Sequence, residues 1–290
     1  MDASLRASDR VQPGGSLIIA WQLKHRHVLI VGGGEVAAGR LSAVLSADAT
    51  VTLIAPRDRL DPAVVATIKY YPHKVTYRDR AFKDSDLDDV SFVLTAVDDP
   101  ETSRRIVEQC RARRIPANAA DLPALCDFYF GSQIRQGPLQ IMISTNGNGP
   151  KLANIIKRRI EASLPPNAGK AIDNVGVLRT KLRQRAPGTG GALGVARMAW
   201  MSQVCEQWSL DELACMDERV MDRLLAEGWE RDRRTVPRFV DVGGVFPQYS
   251  PRPNAWHDAR WRNGFSIGVL AGLATAASLA ALTLLARRRR

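Results

Sequence analysis

Through the first half of the chain, short strand-like runs alternate with stretches whose apolar residues recur every three or four positions. Residues 28–31, 50–54, 74–78, 90–97 and 115–120 read as strands, several of them apolar enough to be buried on both faces. Residues 35–45, 60–71 and 100–113 carry helical spacing between them. In the first of these, Val36, Leu41 and Val44 are available for one apolar face, and Pro100 sits well as the first residue of the last. Such alternation implies a parallel sheet that binds ligands at the carboxyl ends of its strands. After Leu125 the pattern changes. Residues 127–134 and 139–144 read as two strands joined by a Gly137-Pro138 turn. Residues 151–164 form a helix with Leu152, Ile155, Ile156 and Ile160 on one face, and Pro165-Pro166 separates it from a helix over 168–185. Residues 187–194 are a loop, and 195–225 hold one or two helices with Trp200, Trp208 and Leu213 in their core. Residues 237–256 read as a loose linker. Residues 264–286 contain no charge over 23 positions, enough to cross a ~30 Å hydrocarbon layer as a helix.

Charge narrows the class of partner. The net charge is +11, of which Arg287–Arg290 supply four. The rest is spread over runs such as Lys157/Arg158/Arg159 and Arg179/Lys181/Arg183/Arg185. That balance suits a polyanionic small molecule, a nucleic acid or an anionic membrane. A nucleic-acid binder is disfavoured, because the basic residues lack interleaved aromatics and a recognised fold motif. Cys110, Cys126, Cys205 and Cys215 show neither a CxxC pair nor a histidine at ligand spacing, which points to a reducing compartment.

The stretch Val28-Leu-Ile-Val-Gly-Gly-Gly-Glu-Val-Ala-Ala-Gly-Arg40 carries the most specific chemistry. Gly32-x-Gly34-x-x-Ala37 is the dinucleotide-binding fingerprint with alanine in third place. Gly32 permits the tight turn, Gly33 continues an unobstructed loop, and Gly34 lets a pyrophosphate approach the backbone. Ala37 lets the helix pack closely on the strand, and the N–H groups at the helix start attract phosphate. The acidic residue that usually follows the second strand and holds the NAD ribose is replaced by Ala55, Pro56 and Arg57, which leaves room for the 2′-phosphate of NADP. Asp98, Asp99, Asn118 and Asp121 fall at strand ends, where Asp121 is placed on the cofactor side. Thr145-Asn-Gly-Asn-Gly149 before a basic helix is a second candidate anion site.

Taken together, Val28–Arg40, Thr95-Ala-Val-Asp-Asp99, Asn118-Ala-Ala-Asp121, Cys126-Asp-Phe-Tyr-Phe130 and Ile143-Ser-Thr-Asn-Gly-x-Gly-Pro150-x-Leu-Ala153 match a known family in order and spacing. Over residues 16–225 the chain resembles the bifunctional siroheme synthases of yeasts and other fungi. These combine precorrin-2 dehydrogenase with sirohydrochlorin ferrochelatase. The resemblance implies a Rossmann domain with NAD as hydride acceptor, an intertwined dimerisation domain and a small helical domain, assembled as a homodimer. It implies NAD contacts at Gly34, Glu35 and Val36, at Pro56 and Arg57, and around Thr95 and Ala96. Family NAD sites also lack the acid after the second strand, which weakens the argument for NADP. The resemblance further implies Asp121 as the general base and transient metal contact. Substrate contacts are implied at Asn118, Ser144, Thr145, Asn146, Gly147 and Lys151, with precorrin-2 and sirohydrochlorin as the tetrapyrroles bound and ferrous iron as a substrate. Two positions depart from the family. Gly149 stands where many relatives have serine, and no histidine lies near Cys205–Asp217.

The expected α/β architecture is therefore an N-terminal Rossmann-type parallel sheet (16–126), a small α+β dimerisation domain (127–165) and a C-terminal helical domain (166–235). A linker (236–263) and a C-terminal transmembrane helix (264–286) follow. The last implies a single-pass membrane anchor that leaves the catalytic region cytosolic, on the mitochondrial outer membrane or the peroxisome. Two other readings compete: a dehydrogenase without chelation, and a membrane-tethered dinucleotide-binding sensor without turnover. An intact Asp121 favours an enzyme, because a sensor needs the glycine loop but not the base.

Overall fold

The computed structural model describes residues 13–232 and 235–246. These divide into two compact units, the first ending at Gly169 and the second beginning at Lys170.

The first unit is built on five parallel strands: β1 (His27–Val31), β2 (Thr50–Ile54), β3 (Val75–Arg78), β4 (Phe92–Thr95) and β5 (Ala117–Ala119), in the order β3-β2-β1-β4-β5. Val28, Leu29 and Ile30 are wholly buried because β1 is central and covered on both faces. Val28 and Ile30 enter one core layer with Leu41, Val44 and Val64. Leu29 and Val31 point the other way, toward Ile106, Val107 and Cys110. The helices between strands are α1 (Glu35–Leu45), α2 (Pro62–Tyr70) and α3 (Pro100–Ala112). On α1 the buried stripe is Ala37, Leu41 and Val44, not the expected Val36, which is 46% exposed. Positions 37, 41 and 44 share one helical face, and Val36 lies about 100° away from it. Helix α3 starts as its sequence suggests, with Pro100 first and the Asp99 carboxylate accepting from the N–H groups of Glu101 and Thr102.

One buried carboxylate fixes the edge of the sheet. The Asp86 side chain is 1% exposed and accepts from Arg80 at 2.6 and 2.7 Å, from Arg78 at 3.1 Å, and from the N–H of Lys83 at 2.8 Å. These bonds, that from Arg80 foremost, hold its carboxyl below the usual carboxylate range despite burial.

Beyond β5 the chain forms an antiparallel hairpin, β6 (Ser132–Gln136) and β7 (Leu139–Ile143), followed by α4 (Pro150–Ser163). Ile134 and Ala153 are buried here, whereas Leu152 is 61% and Ile156 42% exposed on the expected apolar face of α4. Arg135 donates to the carbonyl of Ser46, the C-cap of α1, at 2.6 Å. A cation is well placed at that end of a helix.

Helix α5 (Ala168–Arg185) leads into the second unit, which contains α6 (Gly191–Gln207), α7 (Leu210–Cys215) and α8 (Glu218–Leu224), closed by a wide turn at Leu225–Glu230. Three helices therefore occupy the region where one or two were expected. Ser209 and Glu212 form a reciprocal capping box that starts α7, and Asp217 caps α8. Trp200, Trp208 and Leu213 are buried, and both indole N–H groups find carbonyls, at Thr235 and Pro237. Phe239 and Val242, within the stretch expected as linker, are buried in this core.

The membrane expectation is corrected. Among the described residues no helix is long and apolar enough to cross a membrane, and residues 264–286 lie outside the described residues. The longest described helix, Ala168–Arg185, carries charges at Lys170, Asp173, Arg179, Lys181, Arg183 and Arg185, which bar it from a hydrocarbon layer. The anchor, the membrane partner and the tethered localisation are withdrawn with it.

Asp86→Asn should lower stability at pH 7 by about 3 kcal/mol, since it leaves two arginines without their shared buried carboxylate. The pKa of Asp86 is depressed on folding, so its contribution is present above the ordinary aspartate value near 3.9 and disappears as pH falls through the lower folded value. Urea unfolding of both proteins at pH 7 and near pH 2.5 should show the gap shrinking in acid. An equal gap at both pH values would contradict this assignment.

Candidate active site

The strand order reverses between β1 and β4, which is where an open parallel sheet leaves a crevice beyond its carboxyl ends. A cleft of about 410 Å³ lies there, lined by the loops after β1, β4 and β5. From the first come Gly34, Glu35 and Val36; from the second, Ala96, Val97 and Asp98, with Pro100 of α3; from the third, Ala120, Asp121 and Leu122.

The three glycines differ in what they permit. Gly32 adopts φ +118°, and a Cβ there would overlap the carbonyl oxygen of Ala96. Gly33 is packed by Leu60 and Ala55, and its carbonyl accepts from the N–H of Asp61 at 2.8 Å. Gly34 has φ −79°, and a Cβ there would meet no protein atom within 4 Å. Gly34 is also the N-cap of α1, and no side chain caps the helix. Uncapped N–H groups beside open space fit the pyrophosphate of a dinucleotide. Ala37, fully buried, holds α1 close to the sheet.

Asp121 stands across the cleft from this loop, exposed and in the left-handed region at φ +60°. Aspartate and asparagine tolerate that conformation better than other residues with a Cβ. The turn is closed by Leu122 N–H donating to the Ala119 carbonyl, and by Ala120 N–H donating to Thr95 O at 2.9 Å. Cys126 lies behind it. Its thiol donates to Ala119 O and accepts from the N–H of Ala119 at 3.3 Å, and burial pushes its pKa up.

Not every expected residue converges here. Thr95 is buried with its hydroxyl donating to Ser103, so it lies beneath the cleft, while Ala96 lines it. Arg57 and Pro56 lie at the end of β2, where the Arg57 N–H and Nε both donate to Asp79, at 2.9 and 3.0 Å. Asn118 is buried and its amide donates to Phe128 O at 2.7 Å, so its side chain joins the strand to the following segment instead of facing the cleft. Ser144, Thr145, Asn146 and Gly147 lie in a separate loop after β7 and Lys151 in the first turn of α4, and none of them lines the cleft. Ser144 Oγ accepts from Asn146 N–H, and Thr145 Oγ1 accepts from Gly149 N–H. Asn146 is engaged by the N-terminal lead-in, accepting from Ser16 Oγ at 2.7 Å and donating to Gly14 O at 3.0 Å. Val97, Pro100, Ala120 and Leu122 line the cleft without having been singled out. Their signal was position alone, directly beyond the ends of β4 and β5.

Models of three families match successive parts of the chain: putative NAD(P)-binding over residues 19–132, sirohaem biosynthesis protein central over 136–163, and sirohaem biosynthesis protein C-terminal over 165–235. The siroheme biosynthesis protein met8 of Schizosaccharomyces pombe is 53% identical over 216 residues, covering 74% of this chain and 80% of that protein. A siroheme synthase of Thioalkalivibrio sulfidiphilus is 36% identical over 58% of this chain, which spans 34% of that longer protein. Among solved structures, SirC, a precorrin-2 dehydrogenase, superposes with a TM-score of 0.52 at 20% identity, over 65% of this chain and 89% of that one. That likeness concerns the fold.

The glycine geometry separates two kinds of damage. Gly34→Val should keep the wild-type melting temperature and lose NAD binding, since Gly34 lines the cleft and a Cβ there meets no protein atom within 4 Å. Gly32→Val should fail to fold stably, because it collides with the β4 loop. Calorimetric NAD titration beside thermal melts checks both; undiminished NAD affinity in Gly34→Val would place the pyrophosphate elsewhere.

Proposed function

This chain belongs to the siroheme biosynthesis family, and we propose that it oxidises precorrin-2 to sirohydrochlorin with NAD and then inserts ferrous iron to give siroheme. The observation that carries this reading is the presence, in one cleft, of an uncapped helix start beside Gly34 and a carboxylate at Asp121.

Gly34, Glu35 and Val36 would hold the pyrophosphate on their backbone, with Ala96 beneath the nicotinamide end. NAD supplies the hydride acceptor. Arg57, which alone would favour a 2′-phosphate, has its N–H and Nε committed to Asp79. The Asp79 carboxylate beside it supports NAD over NADP. Oxidation of precorrin-2 removes a hydride and a proton, and Asp121 takes the proton. Insertion of ferrous iron releases two pyrrole protons, and the same carboxylate accepts protons at the cleft as the metal enters. Its exposed position suits exchange with water between the steps.

The substrate is a polyanion, which a basic chain suits. Two chains would complete the site: Leu152 and Ile156 leave an apolar stripe uncovered on α4, in the region 127–165 assigned to dimerisation. Asn118, now buried, would act by fixing the turn that carries Asp121. The loop 144–149 and Lys151 at the start of α4 would reach substrate within such a dimer.

Asp121→Asn is the clean test, because asparagine keeps the left-handed backbone and removes only the base. Both activities should fall roughly 10²–10⁴-fold while NAD affinity stays within about twofold. Precorrin-2 is incubated with NAD and enzyme, ferrous iron is added, and the absorbance of each product is followed. Near-normal rates for both reactions would remove Asp121 from the chemistry, and loss of chelation alone would assign the oxidative proton to another group.

A further inference from the structure

Helix α1 brings one more charged group toward the cleft. Val36 lines it, and Arg40 lies four residues on, along the same helical face. The guanidinium carbon of Arg40 sits 3.9 Å from the centre of the Phe130 ring. That ring is fixed by an aromatic series running into the core, with Phe130–Phe128 centroids 5.9 Å apart and Phe128–Phe92 5.3 Å apart. The stacked face of the guanidinium is therefore occupied, while its donor edge is left to other partners. Among the described residues no carboxylate comes within ion-pair distance of Arg40, whereas other cations in the fold are paired. Lys181 and Arg185 share Asp222, for example, and Arg80 holds Asp86.

A half-buried cation without a counter-ion is costly, and burial lowers the pKa of Arg40. The charge that acts favourably on it at longer range is that of the Asp121 carboxylate. Arg40 is not itself a lining residue; its place one helical turn beyond Val36, with the guanidinium held on Phe130, puts it next to the cleft. A planar guanidinium held by an aromatic ring and offering its edge matches a carboxylate in a two-point contact.

We infer that Arg40 binds one peripheral carboxylate of the tetrapyrrole and so registers the macrocycle against Asp121. This rests on the proposed reading that the substrate is a polycarboxylate tetrapyrrole.

The test titrates sirohydrochlorin into the full-length protein, following its absorbance, with NAD affinity and thermal melts measured in parallel. Arg40→Gln should weaken sirohydrochlorin binding about 10- to 100-fold, reduce its salt dependence, and raise KM for precorrin-2 more than it lowers kcat. NAD affinity should not change. Arg40→Lys keeps the charge but not the planar fork and should lose several-fold; it also serves if the glutamine variant does not fold. Wild-type sirohydrochlorin affinity in either folded variant overturns the inference. So does a changed sedimentation coefficient with unchanged affinity, which would mean that Arg40 pairs with a second copy of the chain. A wild-type protein that binds no sirohydrochlorin would instead overturn the functional reading beneath it.

Discussion

The candidate site depends on how closely the end of β1 approaches the loop after β4. Gly32 meets the carbonyl of Ala96 with no room for a side chain, while its N–H bonds Ile54 O on the other flank. Because Ala96 N–H returns to Val31 O at 2.7 Å, three strand ends are clamped around one residue without a Cβ. The clamp puts the start of α1 and the turn holding Asp121 on the same rim. Widening it by a methyl group would separate the cofactor-facing backbone from the carboxylate.

Much of this was legible locally. The apolar run of β1, the glycine triplet and the small residue Ala37 each state their role in a few adjacent letters, and Ala168–Arg185 emerged as a helix with the bounds the structure gives. What was not legible depended on partners far away in sequence. Asn118 sits in a three-residue strand with every position buried, so alternation could not say which way its amide points. The bond from Ser16 to the Asn146 side-chain oxygen spans 130 positions, a pairing that no local pattern announces.

The basic character of the chain also resolves into distinct parts. Lys181 and Arg185 are spoken for by Asp222, Glu218 and Glu230, and Arg238 by Asp241, so several positive charges serve the packing of the helical unit. Net charge therefore overstates what is available to an anion. Arg40 is held instead by an aromatic ring.

The thiol behind Asp121 bears on how fast a metal can pass through. Thiolate sulfur binds ferrous iron far more tenaciously than a single carboxylate does, and a metal captured there would leave slowly. Cys126 is kept from that role by burial, which favours the protonated form, and by directing its S–H at the Ala119 carbonyl. In the proposed chelation, an incoming ion would meet a labile oxygen at Asp121 and a sulfur that retains its proton. Transfer onward to the macrocycle would then be limited by the ring's own deprotonation, with no sulfur sink beside the path.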